Sequence, residues 1–205
     1  MDTNKHEFRK AGFTLIELLV VIAIIAVLLG FIFPVFQGVQ DRASKVQAKN
    51  DLTQIVTAVN AFYTEYGRYP TTSNADVTFV SSPTNDQLLD VLRNNTSGSN
   101  ASTVTSLNPR GIVFVSPAED TSQTSPRGKI GSNGQFYDPW AQAYSIRIDA
   151  DYDNQVNNPY SQDTGAGGTQ IRQGVIGWSG GKDGKGPLTG GSTMFKDSDD
   201  VISWQ

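Results

Sequence analysis

The sequence predicts an α+β chain: one long N-terminal helix, apolar at its start and amphipathic further on, packed on a small antiparallel β-sheet with long loops. Three observations carry this. Leu18 to Phe33 is an unbroken apolar run apart from Gly30. Apolar residues then recur at three- and four-residue spacing from Val39 to Tyr66. Strict alternation follows much later, in Tyr144-Ser145-Ile146-Arg147-Ile148-Asp149. The length of 205 residues suffices for one ordinary domain with its own core plus an appendage.

Composition removes several function classes. With 16 Lys+Arg against 20 Asp+Glu, a formal charge of -4 and a pI near 4.9, the chain has no basic footprint, and nucleic acid is not an expected partner. The absence of Cys excludes disulfides, thiolate nucleophiles and Cys-type metal sites. The one His, His6, precedes a segment expected to be cleaved, so the mature chain would have no imidazole for a Ser-His-Asp triad or a His-metal site.

The first element is residues 13–36, FTLIELLVVIAIIAVLLGFIFPVF. About 20 apolar residues at roughly 1.5 Å rise span a bilayer's hydrocarbon core, so a transmembrane helix is expected. Lys5, Arg9 and Lys10 outweigh Asp2 and Glu7 ahead of it, which predicts a cytoplasmic N-terminus and a translocated C-terminal portion. The residues after the run, Pro34 to Gly38, are a poor match to a signal-peptidase site, so the apolar segment is expected to be retained. Glu17 is the anomaly. A carboxylate inside a membrane segment costs about 2.5 to 3.5 kcal/mol on insertion scales. It either snorkels to the interface or meets a positive partner, and no Lys or Arg lies between Glu17 and Arg42 to supply one.

Gly12-Phe13-Thr14-Leu15-Ile16-Glu17 resembles the processing site of type IV pilins and of the pseudopilins of type II secretion. The resemblance implies cleavage between Gly12 and Phe13 by a prepilin peptidase, N-methylation of Phe13, and an assembly role for Glu17, which would pair with the new amine of a neighbouring subunit. Pro34 falls where that family commonly bends its helix. The organisation expected on this basis is a leader at 1–12, a transmembrane and filament-core helix at 13–36, and a periplasmic globular α+β domain at 37–205.

Past Pro34 the apolar stripe Val39, Ala43, Val46, Leu52, Ile55, Val59, Phe62 and Tyr66 extends the helix, so one helix is expected over 14–66, about 80 Å long. Gly67 suits its C-terminal cap and Pro70 prevents resumption. Strands are expected at Gly111–Val115, Ser145–Ile148 and Gly174–Trp178, and a short helix at Asp86–Leu92. The segments 94–108 and 165–191 read as loops.

Two acidic groups invite metal chemistry. Asp149, Asp151 and Asp153 begin like a calcium loop, but Asn154 and Tyr160 stand where an EF-hand needs Gly and Glu, so the main reading is exposed turn carboxylates, with a weaker oxygen-ligand site as the alternative. The C-terminal stretch gathers Asp183, Asp197, Asp199 and Asp200 around glycine-rich backbone. It resembles the calcium loop of major pseudopilins, in which an S-x-G-x-D-G stretch precedes an acidic pair, a hydrophobic residue and a Trp. That likeness implies Asp183, Asp199 and Asp200 as ligands of a structural calcium, with Val201 and Trp204 packing the chain end. Gly177-Trp178-Ser179-Gly180-Gly181 matches G-x-S-x-G but lacks a mature His, and Gly181-Lys182 lacks the other residues of a phosphate loop, so no enzyme is expected.

The function implied is a structural subunit of a type II secretion pseudopilus, anchored in the bacterial inner membrane and assembled as a periplasmic filament. Its partners would be copies of itself, other pseudopilins, the prepilin peptidase, an assembly ATPase and an inner-membrane platform. The alternatives are a type IV pilus subunit for adhesion, motility or DNA uptake, and a signal-anchored periplasmic binding module.

Overall fold

The structure, a computed structural model, describes residues 13–120, 126–187 and 195–205, and for residues 31–37 the backbone alone. The leader with His6 and Gly12, the side chain of Pro34 and the stretch 188–194 lie outside the described residues. The chain divides into two compact units, Met1–Arg42 and Ala43–Gln205. A helix, α1 (Leu15–Tyr66), begins in the first unit and supplies its residues from Ala43 onward to the second.

In the first unit α1 opens on Thr14, and its described apolar side chains from Leu15 to Leu29 are exposed: Leu15 is 88% exposed and Ile25 47%. Among the described residues no helix is long and apolar enough to cross a membrane; the side chains of the distal end of the apolar run are not among them.

In the second unit α1 buries Ala48, Leu52, Ile55, Ala58, Val59 and Phe62, the i, i+3, i+4 set of one face. The expected stripe is corrected at Val46, which is 69% exposed beside an open groove formed with Phe195, Val201 and Ile202. Gly67 ends the helix in the left-handed region, φ 67°, where its N–H donates to Tyr63 O at 2.8 Å.

The sheet that receives this face has the order β1 (Val77–Phe79), β2 (Ser145–Ile148), β5 (Val175–Ser179), β6 (Val201–Ile202), antiparallel throughout. Tyr144, Ile146 and Ile148 are fully buried, as their alternation predicts. A two-stranded ribbon, β3 (Val156–Asn157) with β4 (Gln170–Ile171), stands beside a second small core of Val156, Tyr160, Ala166, Ile176, Trp178 and Ile202. Phe195, on a 3-10 turn (Phe195–Asp197), and Trp204 pack against that second core.

Two expectations are corrected. The apolar stretch 111–115 forms no strand; Phe114 is held by its N–H to Leu92 O at 2.8 Å and by ring packing on Phe62, with centroids 5.2 Å apart. The polar stretch 94–108 is not all loop. Beyond the expected α2 (Asn85–Arg93) it contains α3 (Ala101–Leu107), because Val104 and Leu107, three apart, are enough to bury one helical edge. Asn108 closes α3, donating from Nδ2 to Val91 O and Ile112 O and accepting from the Tyr66 hydroxyl.

Candidate functional site

The N-terminal end of α1 is organised by its own side chains. Thr14 donates to Glu17 Oε2 from its backbone N–H at 2.8 Å and from its hydroxyl at 2.7 Å, while Glu17 N–H reaches Thr14 Oγ1 at 3.3 Å. This is a reciprocal capping box. The spacing Thr14-x-x-Glu17 carried that signal, and reading Glu17 only as a membrane anomaly misses it. Phe13, the residue that cleavage would make first, is 77% exposed immediately before the cap. The arrangement fixes a carboxylate at the mouth of an apolar helix, hydrogen-bonded to the residue next to the expected new amine.

The second site lies at the other end of the chain. The carboxylates of Asp183, Asp199 and Asp200 each offer an oxygen, and all three oxygens lie within 4.8 Å of one another. Strand β5 delivers the first side of this site, because the chain turns at Gly180–Gly181 straight after Ser179. Gly181 has φ 63°, and a Cβ there would sit 2.6 Å from Asp199 O, so only glycine lets the two strands of the loop come together. Asp199 Oδ2 accepts the backbone N–H groups of Lys182 at 2.5 Å and Asp183 at 2.9 Å. Strand β6, two residues long, follows the acidic pair and packs Val201 into the main core, and Trp204 donates to Ala166 O at 2.8 Å.

Asp200 is the group this loop leaves open. Burial pushes its carboxyl up to about 6, an effect opposed by the Ser198 and Tyr160 hydroxyls and reinforced by the charges of Asp199 and Asp183. Its Oδ1 is buried without a hydrogen bond of ordinary geometry, as is the neighbouring Tyr160 hydroxyl. Three converging carboxylates could supply part of the six to eight oxygens that a hard cation such as calcium takes, and Lys185 Nζ lies 3.6 Å from Asp183 Oδ2 beside them.

The other acidic group is rearranged from its expectation. Asp149 is buried, not exposed, and its carboxylate accepts the N–H groups of Asp153 at 3.2 Å and Asn154 at 2.9 Å. Asp149 and Asp151 converge with Asp76 and not with Asp153. The β1–β2 register, Val77 opposite Ile148, brings Asp76 there, a pairing that no local pattern in the sequence announces. Ser179 of the G-x-S-x-G stretch is 1% exposed and donates to Asp138 Oδ2, a fully buried carboxylate that also accepts from Trp140 and Gln142 N–H groups.

Residues 8–33 match the family model described as the prokaryotic N-terminal methylation motif. The chain carries a type IV pilin-like N-terminus. Type II secretion system core protein G of Pectobacterium carotovorum subsp. carotovorum is 32% identical over 77 residues, 38% of this chain and 49% of that protein. The protein of the same name from Dickeya chrysanthemi is 35% identical over 78 residues, 38% of this chain and 51% of that protein. Type IV major pilin protein PilA of Myxococcus xanthus is 38% identical over 74 residues, 36% of this chain and 34% of that protein. The chain thus spans about half the length, or less, of these curated relatives. No solved structure matches it significantly.

Proposed function

We propose that this chain is a structural subunit of a type II secretion pseudopilus, without chemistry of its own. It would be held in the bacterial inner membrane by residues 13–36, with its N-terminus cytoplasmic and its folded domain periplasmic, and assemble through α1 into a filament that drives protein export. One observation carries the reading: a methylation motif runs into a helix whose described apolar side chains from Leu15 to Leu29 are exposed in the single chain. Such a surface requires lipid or neighbouring helices, and transfer from one to the other is the assembly step. Ala23, Ala26 and Gly30 permit the close approach that such packing needs.

Processing between Gly12 and Phe13 by a prepilin peptidase would leave the Thr14–Glu17 cap intact. Glu17 would then present its second oxygen to the Phe13 amine of the adjoining subunit and set the stagger of the filament. An assembly ATPase, an inner-membrane platform and other pseudopilins are the further partners of this reading. Asp183, Asp199 and Asp200 would hold a structural calcium that closes the C-terminal loop.

Mass spectrometry of the protein from native membranes tests the first step: a mature N-terminus at methylated Phe13 is expected, and an intact Met1 refutes it. Glu17→Ala should be processed and inserted but assemble poorly, and normal filaments from it would remove Glu17 from the account. A type IV pilus subunit is the second reading, supported by the Myxococcus xanthus pilin among the relatives. Export that stops on deletion of this chain selects the first reading; loss of surface pili selects the second.

A further inference from the structure

Two lysines of α1, one helical turn apart and hence on one face, grip the chain on either side of the acidic pair. Lys45 Nζ donates to Ser198 O at 3.1 Å. Lys49 Nζ donates to Ile202 O at 2.7 Å and Ser203 O at 3.2 Å, and also reaches Gln205 O. Ser198 immediately precedes Asp199 and Asp200, and Ile202 follows two residues after them. The pair is therefore strung between two ammonium-to-carbonyl anchors, each crossing some 150 residues of sequence.

Packing alone does not make this connection. An open groove of about 400 Å³ lies between helix and loop, walled by Val46, Phe195, Val201 and Ile202, and the lysines border it. Strand β6 ties the acidic pair to the sheet through only two residue pairs, Trp178 with Ile202 and Ser179 with Val201. Lys49 is half-buried, and burial pushes its ammonium pKa down, so its charge carries a desolvation cost that its carbonyl partners offset. All three donors of that ammonium are spent on backbone carbonyls of the last four residues. Such a contact fixes where the backbone lies.

We infer that Lys45 and Lys49 are positioning residues of the calcium loop, an inference that rests on the calcium reading proposed above. The Gly181–Asp183 side of the site is fixed by β5, whereas the Asp199–Asp200 side, joined to it by the two Asp199 hydrogen bonds and to the sheet by β6, is tied to α1 through these two side chains. Calcium requires oxygens at 2.3 to 2.6 Å, so a carboxylate pair free to drift by an ångström loses ligands. By linkage the coupling is reciprocal: an ion that orders the loop also orders the turn of α1 from Lys45 to Leu52.

The test uses the full chain in detergent micelles, as wild type, Lys45→Met, Lys49→Met, the double variant and Lys49→Arg. Calorimetric titration with calcium chloride gives the affinity. Hydrogen exchange of residues 45–52 and 198–203, with and without calcium, gives the coupling. The double variant is expected to bind calcium at least about tenfold more weakly and to lose the calcium-dependent protection of residues 45–52, while Lys49→Arg keeps both. Methionine keeps most of the unbranched stem of lysine and removes the ammonium donors; if the double variant unfolds, each single methionine variant should still lose about threefold in affinity. Wild-type binding with unchanged affinity and protection in the variants overturns the role of the lysines and leaves the calcium site standing. A wild type that binds no calcium overturns both.

Discussion

On the calcium reading proposed above, chelation should invert the pH dependence of stability of the folded domain, and Asp200 is the reason. In the metal-free protein burial raises this carboxyl from its ordinary 3.8 to about 6. The folded state then binds a proton more tightly than the unfolded chain does. Its stability is fully present below the ordinary carboxylate value and is lost as pH rises through about 6. For a fully desolvated group that rise would be worth about 3 kcal/mol, and solvent screening at a half-buried carboxyl leaves roughly 1 kcal/mol. With calcium the sign reverses, because the ion binds only the ionised carboxylates and stabilises less as pH falls below about 6. At free calcium one hundred times its dissociation constant, binding stabilises by about 2.7 kcal/mol. For a domain of this size that is roughly 5 to 10 °C in melting temperature. A soluble form beginning at Gln37, melted from pH 4.5 to 7.5 with calcium and with chelator, should give curves that converge at the acid end and diverge above about pH 6. Parallel curves separated by nothing, or by a constant, would refute the reasoning.

Gly181→Ala should lower stability by about 2 kcal/mol or more in denaturant titration, because it places a side chain at positive φ and a Cβ against the Asp199 backbone. Tyr144→Phe removes the donor that holds buried Asp51 Oδ2 at 2.9 Å and should cost about 1 to 3 kcal/mol. Burial already pushes the Asp51 carboxyl up, so that loss should be larger at pH 7 than at pH 4. Leu52→Ala empties a fully buried position between α1 and Gly177 of β5 and should cost about 2 to 5 kcal/mol by the same titration.

Periodicity made the helix and the central strands legible, because both follow from which faces must leave water. Ser145–Ile148 and the helix end at Tyr66 are found where the pattern puts them. Short elements were not legible for the opposite reason: they are decided by contacts from distant residues. Leu92 O and the Phe62 ring hold 111–115 out of a strand, and Asn108 with Val91 makes a helix of Ala101–Leu107. The same division runs through the candidate sites. Asp183, Asp199 and Asp200 could be named from the resemblance to the pseudopilin calcium loop, whereas Asp76, Lys45 and Lys49 reach their clusters only through register and tertiary packing.

The buried carboxylates separate into two kinds, and the difference singles out the C-terminal loop. Asp51, Asp138 and Asp149 are raised by burial, yet each is met by neutral donors: the Tyr144 hydroxyl, the Ser179 hydroxyl with two backbone N–H groups, and the N–H groups of Asp153 and Asn154. These are acceptors that close turns and tie helix to sheet. Asp200 differs because one of its oxygens is buried and left over while two more carboxylates crowd toward it. Neutral donors cannot relieve like charge, and the two lysines that border the loop spend their protons on carbonyls instead. On the calcium reading proposed above, a divalent cation would meet both needs at once, beside the Lys185 ammonium that lies 3.6 Å from Asp183 Oδ2.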